Sequence, residues 1–134
     1  MRGKRIALLA ALAIGMTAGA AIPARADAMA RAIFMNTAYC AGVAEGYSET
    51  LKQAGGWAFG GKASAAQRVA GELKRRADTF GRRNGFSSAQ GQQAANQGRA
   101  TIERLLAGGN WRGGSDVPQE AFRQYQHCAT LAEL

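Results

Sequence analysis

Four features of this chain have residue types and spacings suited to chemistry: a cysteine pair, one histidine, a basic run, and two tryptophans set among glycines. Cys40 and Cys128 are the only cysteines in 134 residues. Each lies in the middle of an apolar stripe, and in an exported chain such a pair reads as one structural disulfide. A redox-active pair would show C-x-x-C spacing or a thioredoxin-like pattern, and neither occurs. Closing so long a loop is worth about 4–5 kcal/mol in the chain-entropy model.

His127 is the single histidine. A metal or haem site needs several converging ligands, and C-x-x-C-H is absent, so the expectation is no metal and no cofactor. At helical spacing His127 turns away from Cys128, toward the side of Arg123 and Leu131. The carboxylates Glu45, Glu49, Glu72, Asp78, Glu103, Asp116 and Glu120 fall at scattered positions on helix surfaces, with no Ser-His-Asp set. The chain reads as a non-enzyme, with a hydrolase as the least favoured alternative. The segment Gly56 to Ala63 fits G-x-x-x-x-G-K, but Ala63 stands where Ser or Thr should bind magnesium. It also follows a helix rather than a strand, so it is rejected as a phosphate loop.

The basic run is Arg68, Lys74, Arg75, Arg76, Arg82 and Arg83. Spacing pairs Arg68 with Glu72, Glu72 with Arg76, and Lys74 with Asp78. Arg75, Arg82 and Arg83 remain as a candidate anion-facing patch near a helix C-terminus, where the helix dipole favours cations. The two glycine-rich stretches, GGWAFGG (55–61) and GGNWRGG (108–114), share length and frame. Trp57, Phe59, Lys62, Trp111 and Arg112 form the candidate binding patch. Aromatics on flexible loops beside a cation suit recognition of a partner surface. The alternative is that the rings plug the open end of a core.

Those residues need a scaffold. Arg2, Lys4 and Arg5 open a basic start, Ile6 to Ala21 is an apolar run, and Ala24-Arg25-Ala26 matches the small-x-small cleavage rule. Residues 1–26 therefore read as a cleaved signal peptide, placing the protein in the periplasm or outside the cell. The run is shorter than the roughly 20 residues needed to span a bilayer, so no integral span is expected after cleavage. The whole chain carries a formal +8. Removing Arg2, Lys4, Arg5 and Arg25 leaves thirteen basic against nine acidic residues. That modest excess argues against nucleic acid and for acidic surfaces.

Residues 27–134 suffice for a single domain with one modest core. No alternating strand pattern of useful length appears, and the class is all-α. Helix 1 is expected from about Ala28 to Ala54, with a buried stripe of Ile33, Thr37, Cys40, Ala44, Tyr47 and Leu51. Helix 2 is expected from near Ser64, with Ala66, Val69, Leu73, Ala77 and Phe80 inward, ending around Gly81 to Gly85, where Asn84-Gly85 is a turn signal. Ser87 and Gln90 read as the capping box of helix 3, whose inner face is Gly91, Ala95, Gly98, Ile102 and Leu105. The bare start of that face admits a close neighbour, and Gln92, Gln93, Asn96 and Gln97 make an uncharged polar strip opposite. Helix 4 opens around Asp116 to Pro118 and turns Ala121, Phe122, Tyr125, Cys128, Ala129 and Ala132 inward.

The expected architecture is a four-helix up-down bundle closed by a disulfide between the first and last helices. At about 1.5 Å per residue the two cysteines fall within about one turn of the same level. The leading functional expectation is a small exported, non-enzymatic binding protein of the envelope that meets an envelope or secreted protein through its paired Gly-Trp loops. A periplasmic chaperone or stress protein is the runner-up.

Overall fold

The computed structural model describes residues 2–55, 57–113 and 116–134, with side chains for 27–55, 59–112 and 116–134. The expected signal segment, 1–26, lies outside the residues with described side chains. Among the described residues the chain is helical with no strand: α1 (Arg2–Ala54), α2 (Trp57–Asn84), α3 (Ser88–Leu106), a 3-10 turn (Trp111–Gly113) and α4 (Gln119–Glu133). No helix among them is long and apolar enough to cross a membrane. The chain divides into two units, Met1–Ala32 and Ile33–Leu134, and the core described below belongs to the second.

From Phe34 to Leu51, α1 is wrapped rather than half-buried. Only Asn36, Glu45 and Glu49 are exposed over that span. The stripe expected from spacing is buried from Thr37 to Leu51, but Ile33 at its head is 50% exposed. Burial continues round the helix because α1 meets all three other helices. The Ser48 hydroxyl donates to the Ala63 carbonyl of α2 at 2.7 Å. Cys40 is bonded to Cys128 of α4, with Cα atoms 5.0 Å apart and no free cysteine left. Tyr47 stacks on Tyr125 of α4 at 4.3 Å with the rings 3° from parallel.

The tightest contact is with α3. A Cβ placed on Gly42 would collide with the Ala95 carbonyl, and one on Gly98 with the Tyr39 carbonyl. A Cβ on Gly46 would lie 2.7 Å from Ile102 Cγ2. Glycine at these positions lets the two backbones touch, and the bare half-face of α3 thereby finds its partner. Nearer the α2–α3 turn the Phe34 ring fills the space left by two more glycines. It would sit 2.7 Å from a Cβ on Gly81 and 3.0 Å from one on Gly91. Phe34 also stacks on Phe86 at 5.1 Å.

The predicted cap of α3 is present: the Gln90 amide donates to Ser87 Oγ at 3.2 Å, and the Ser87 amide to Gln90 Oε1 at 3.1 Å. Gly85, at φ 75°, turns the chain out of α2. Three expectations need correction. Helix α2 begins at Trp57, seven residues before Ser64, so most of GGWAFGG is helical. Burial of Phe59 and Ala63 on the first two turns offsets the roughly 1 kcal/mol that each helical glycine costs. The inner face of α3 is rotated, with Ala94, Gly98, Ile102 and Leu106 buried, because its neighbour is the backbone of α1 itself. Phe122 of α4 is 43% exposed, since Ala121 takes the inward position.

Gly98→Ala is expected to cost about 3 kcal/mol, the upper part of the overpacking range, because the obstacle is backbone. Gly60→Ala, on an open face with nothing within 4 Å, should gain up to about 1 kcal/mol. Urea midpoints check both, and equal shifts would contradict the interlock. A second prediction concerns pH. Burial, and then Tyr125 beside it, push the Tyr47 hydroxyl up from 10.0 to about 12. Its stabilising contribution is full below the unfolded value and is lost as pH rises through the folded one, because the unfolded phenol ionises first. The loss amounts to about 3 kcal/mol at most. Tyr47→Phe should reduce that alkaline fall in the urea midpoint.

Candidate functional site

The paired loops do converge. Phe59 at the start of α2 and Trp111 in the 3-10 turn meet edge to face, with ring centroids 5.6 Å apart. Both are only 3% exposed, and the Trp111 indole N–H donates to the Leu106 carbonyl at 2.9 Å. This is the plug arrangement: two large rings close the core, and the polar edge of the indole caps a helix carbonyl. The surface there is left to Arg112, whose guanidinium lies 4.8 Å above the Trp111 ring, and to exposed Lys62. The Trp57 side chain lies outside the described residues.

The basic run is arranged differently from its spacing. Glu72 binds Arg75 at 2.6 Å and Arg76 at 3.0 Å, and Arg68 is not its partner. Arg75 first and Arg76 second hold the Glu72 carboxyl below its ordinary value. Arg76 also donates to the Leu131 carbonyl at 3.1 Å, tying α2 to the last turns of α4. Lys74 and Asp78 form no ion pair with each other. Of the anion-facing candidates, Arg75 is tethered to Glu72 but its side chain is 72% exposed. Arg82 and Arg83 are exposed and make no ion pair among the described residues.

Two grooves flank this end of α2. One, of about 520 Å3, is floored by Ala38, Ala41 and Gly42 of α1, with Phe34 and Phe86 at one end and Lys74, Asp78 and Arg82 along its edge. The other, of about 470 Å3, lies between α2 and the Ile33 and Leu131 ends of α1 and α4, and it is edged by Arg75, Arg76 and Arg83. The next-door arginines Arg82 and Arg83 thus border different grooves, because successive helix residues diverge by about 100°.

Two features escaped the spacing argument. Arg99 of α3 bridges Glu45 and Glu49 of α1. The signal was there: like charges four apart on one helix repel and call for a cation from elsewhere. The second groove could not be read from any one helix, since its apolar lining comes from three. His127 is exposed. Among the described residues no three His, Cys, Asp or Glu side chains gather where they could hold a metal ion.

Trp111→Ala should lower stability by about 3–5 kcal/mol, as loss of a buried large aromatic does. Arg112→Ala should stay within about 0.5 kcal/mol, as for other surface changes. Thermal melts decide, and an unchanged melt for Trp111→Ala would count against the plug. No protein-family model, no curated protein and no solved structure matches this chain.

Proposed function

We propose that this is a small exported, non-enzymatic helical binding protein that meets an anionic partner through the basic end of α2. In this reading residues 1–26 are a cleaved signal peptide and 27–134 a single helical domain, periplasmic or secreted. A buried disulfide tying the first helix to the last supports an oxidising compartment. An up-down order of the helices is supported by the contacts. Phe34, Gly42 and Gly46 meet Gly91, Ala95 and Arg99 with numbers rising together, while Cys40 and Tyr47 meet Cys128 and Tyr125 with numbers running oppositely.

The observation that carries the binding reading is the pair Arg82 and Arg83, exposed and without ion pairs among the described residues, each at the edge of a groove. Cations left uncompensated beside concave surface favour an anionic group over solvent. The Gly-Trp loops then serve as the seal of the core, with Lys62 and Arg112 as their outer charges.

Arg82→Ala/Arg83→Ala should elute from a phosphate-bearing resin at clearly lower salt than wild type. The control is Arg104→Ala/Arg123→Ala, which has the same net charge and should shift much less. Equal shifts for the two double variants would mean that only net charge matters, and the proposal would fall.

A further inference from the structure

The groove edged by Arg83 has a composition that its neighbour lacks. Its lining is aliphatic and aromatic: Ile33, Leu73, Phe80, Leu131 and Leu134, drawn from α1, α2 and the end of α4. Two of these are conspicuously wet, Ile33 at 50% and Leu134 at 89% exposure. Three arginines and one glutamate also line it, and the glutamate is occupied by Arg75 and Arg76. Arg76 is committed further, since its guanidinium joins α2 to the Leu131 carbonyl and so fixes the spacing between two walls. Arg83 and the outer face of Arg75 remain for a ligand. Thr37 and Thr79 also line the space, but the Thr37 hydroxyl is already spent on the Ile33 carbonyl.

An occupant complementary to this arrangement needs an apolar body and one anionic end. The geometry points to a single-chain anionic amphiphile, a free fatty acid, with its chain along Ile33, Phe80, Leu131 and Leu134 and its carboxylate between Arg75 and Arg83. The volume of about 470 Å3 falls in the range of small-molecule sites. Burying the chain removes water from the exposed Ile33 and Leu134 side chains, and the carboxylate gains charge-assisted bonds from the Arg83 guanidinium and from the donors of Arg75 that Glu72 leaves open. This inference rests on the anion-binding reading above and names the ligand of its Arg83 side.

Calorimetric titration of the oxidised protein with decanoate and with decanol, both below aggregation, tests it. One decanoate should bind per chain, with decanol at least about ten-fold weaker, the effect of one lost charge-assisted hydrogen bond. Arg75→Gln/Arg83→Gln should bring decanoate down to the level of decanol, and Leu134→Asp should weaken both ligands. These side chains are exposed, so the helical circular dichroism should be unchanged in both variants. Equal binding of acid and alcohol, or decanoate binding indifferent to both variants, overturns the inference. So does a concentration-dependent dimer lost in Leu134→Asp, which would assign the groove to a second copy. A flat decanoate titration with resin retention still lost in Arg82→Ala/Arg83→Ala removes the fatty acid and leaves the anion-binding reading. Failure of both experiments removes both.

Discussion

The contact between α1 and α3 sets the distances in the rest of the core. Where Gly42 faces the Ala95 carbonyl and Gly98 faces the Tyr39 carbonyl, side chains are absent and backbone lies on backbone. Two helices that close together cannot hold a thick apolar layer between them, so the large side chains are displaced to the margins. Phe34 fills the margin toward the α2–α3 turn, and Tyr47 fills the margin toward α4. The many alanines of α1 and α2 follow from the same constraint, since the wrapped helix offers little radial room on any side. Arg99 reinforces the contact from outside by holding two α1 carboxylates to α3.

That core leaves the surface divided. One end is closed by Phe59 against Trp111, an apolar seal with a satisfied indole N–H. The other end carries cations that the protein itself only partly neutralises. Glu72 pairs with Arg75 and Arg76 rather than with Arg68, and Arg82 and Arg83, about three turns further along α2, lie beyond its reach and stay exposed. An exposed ion pair is worth little to stability, so the arrangement is better understood through the field it leaves behind than through the energy it supplies.

Features with a short sequence range were legible before the structure. Ser87 with Gln90, the turn at Asn84-Gly85, and the buried line from Thr37 to Leu51 follow from spacing alone. So did the cysteine pair, because two thiols at matching levels on two apolar stripes leave few alternatives. What spacing could not supply is the identity of the neighbour. Glycines in GGWAFGG looked like a loop because helix propensity ignores the burial that Phe59 obtains against Trp111. Phe122 looked like core because a stripe drawn on an isolated helix does not know that Ala121 fits closer to its neighbour. Arg99 and the lining of the second groove are assembled across helices, where a one-dimensional pattern has no reach.

The bond between Cys40 and Cys128 also imposes a schedule. The two residues are 88 positions apart in sequence. At ordinary elongation rates the later cysteine is made about 4–18 s after the earlier one. During that interval α1, the helix with contacts on every side, has none of its lasting neighbours in α4 and no mate for its thiol. The residue that ends the wait lies in α4, so the covalent loop can close only once α4 has reached the compartment where oxidation occurs. Any oxidant that acts before then meets a lone thiol, and a mixed disulfide or a bond to another molecule becomes the competing product. Keeping the chain to a single pair of cysteines limits that hazard to one partner choice.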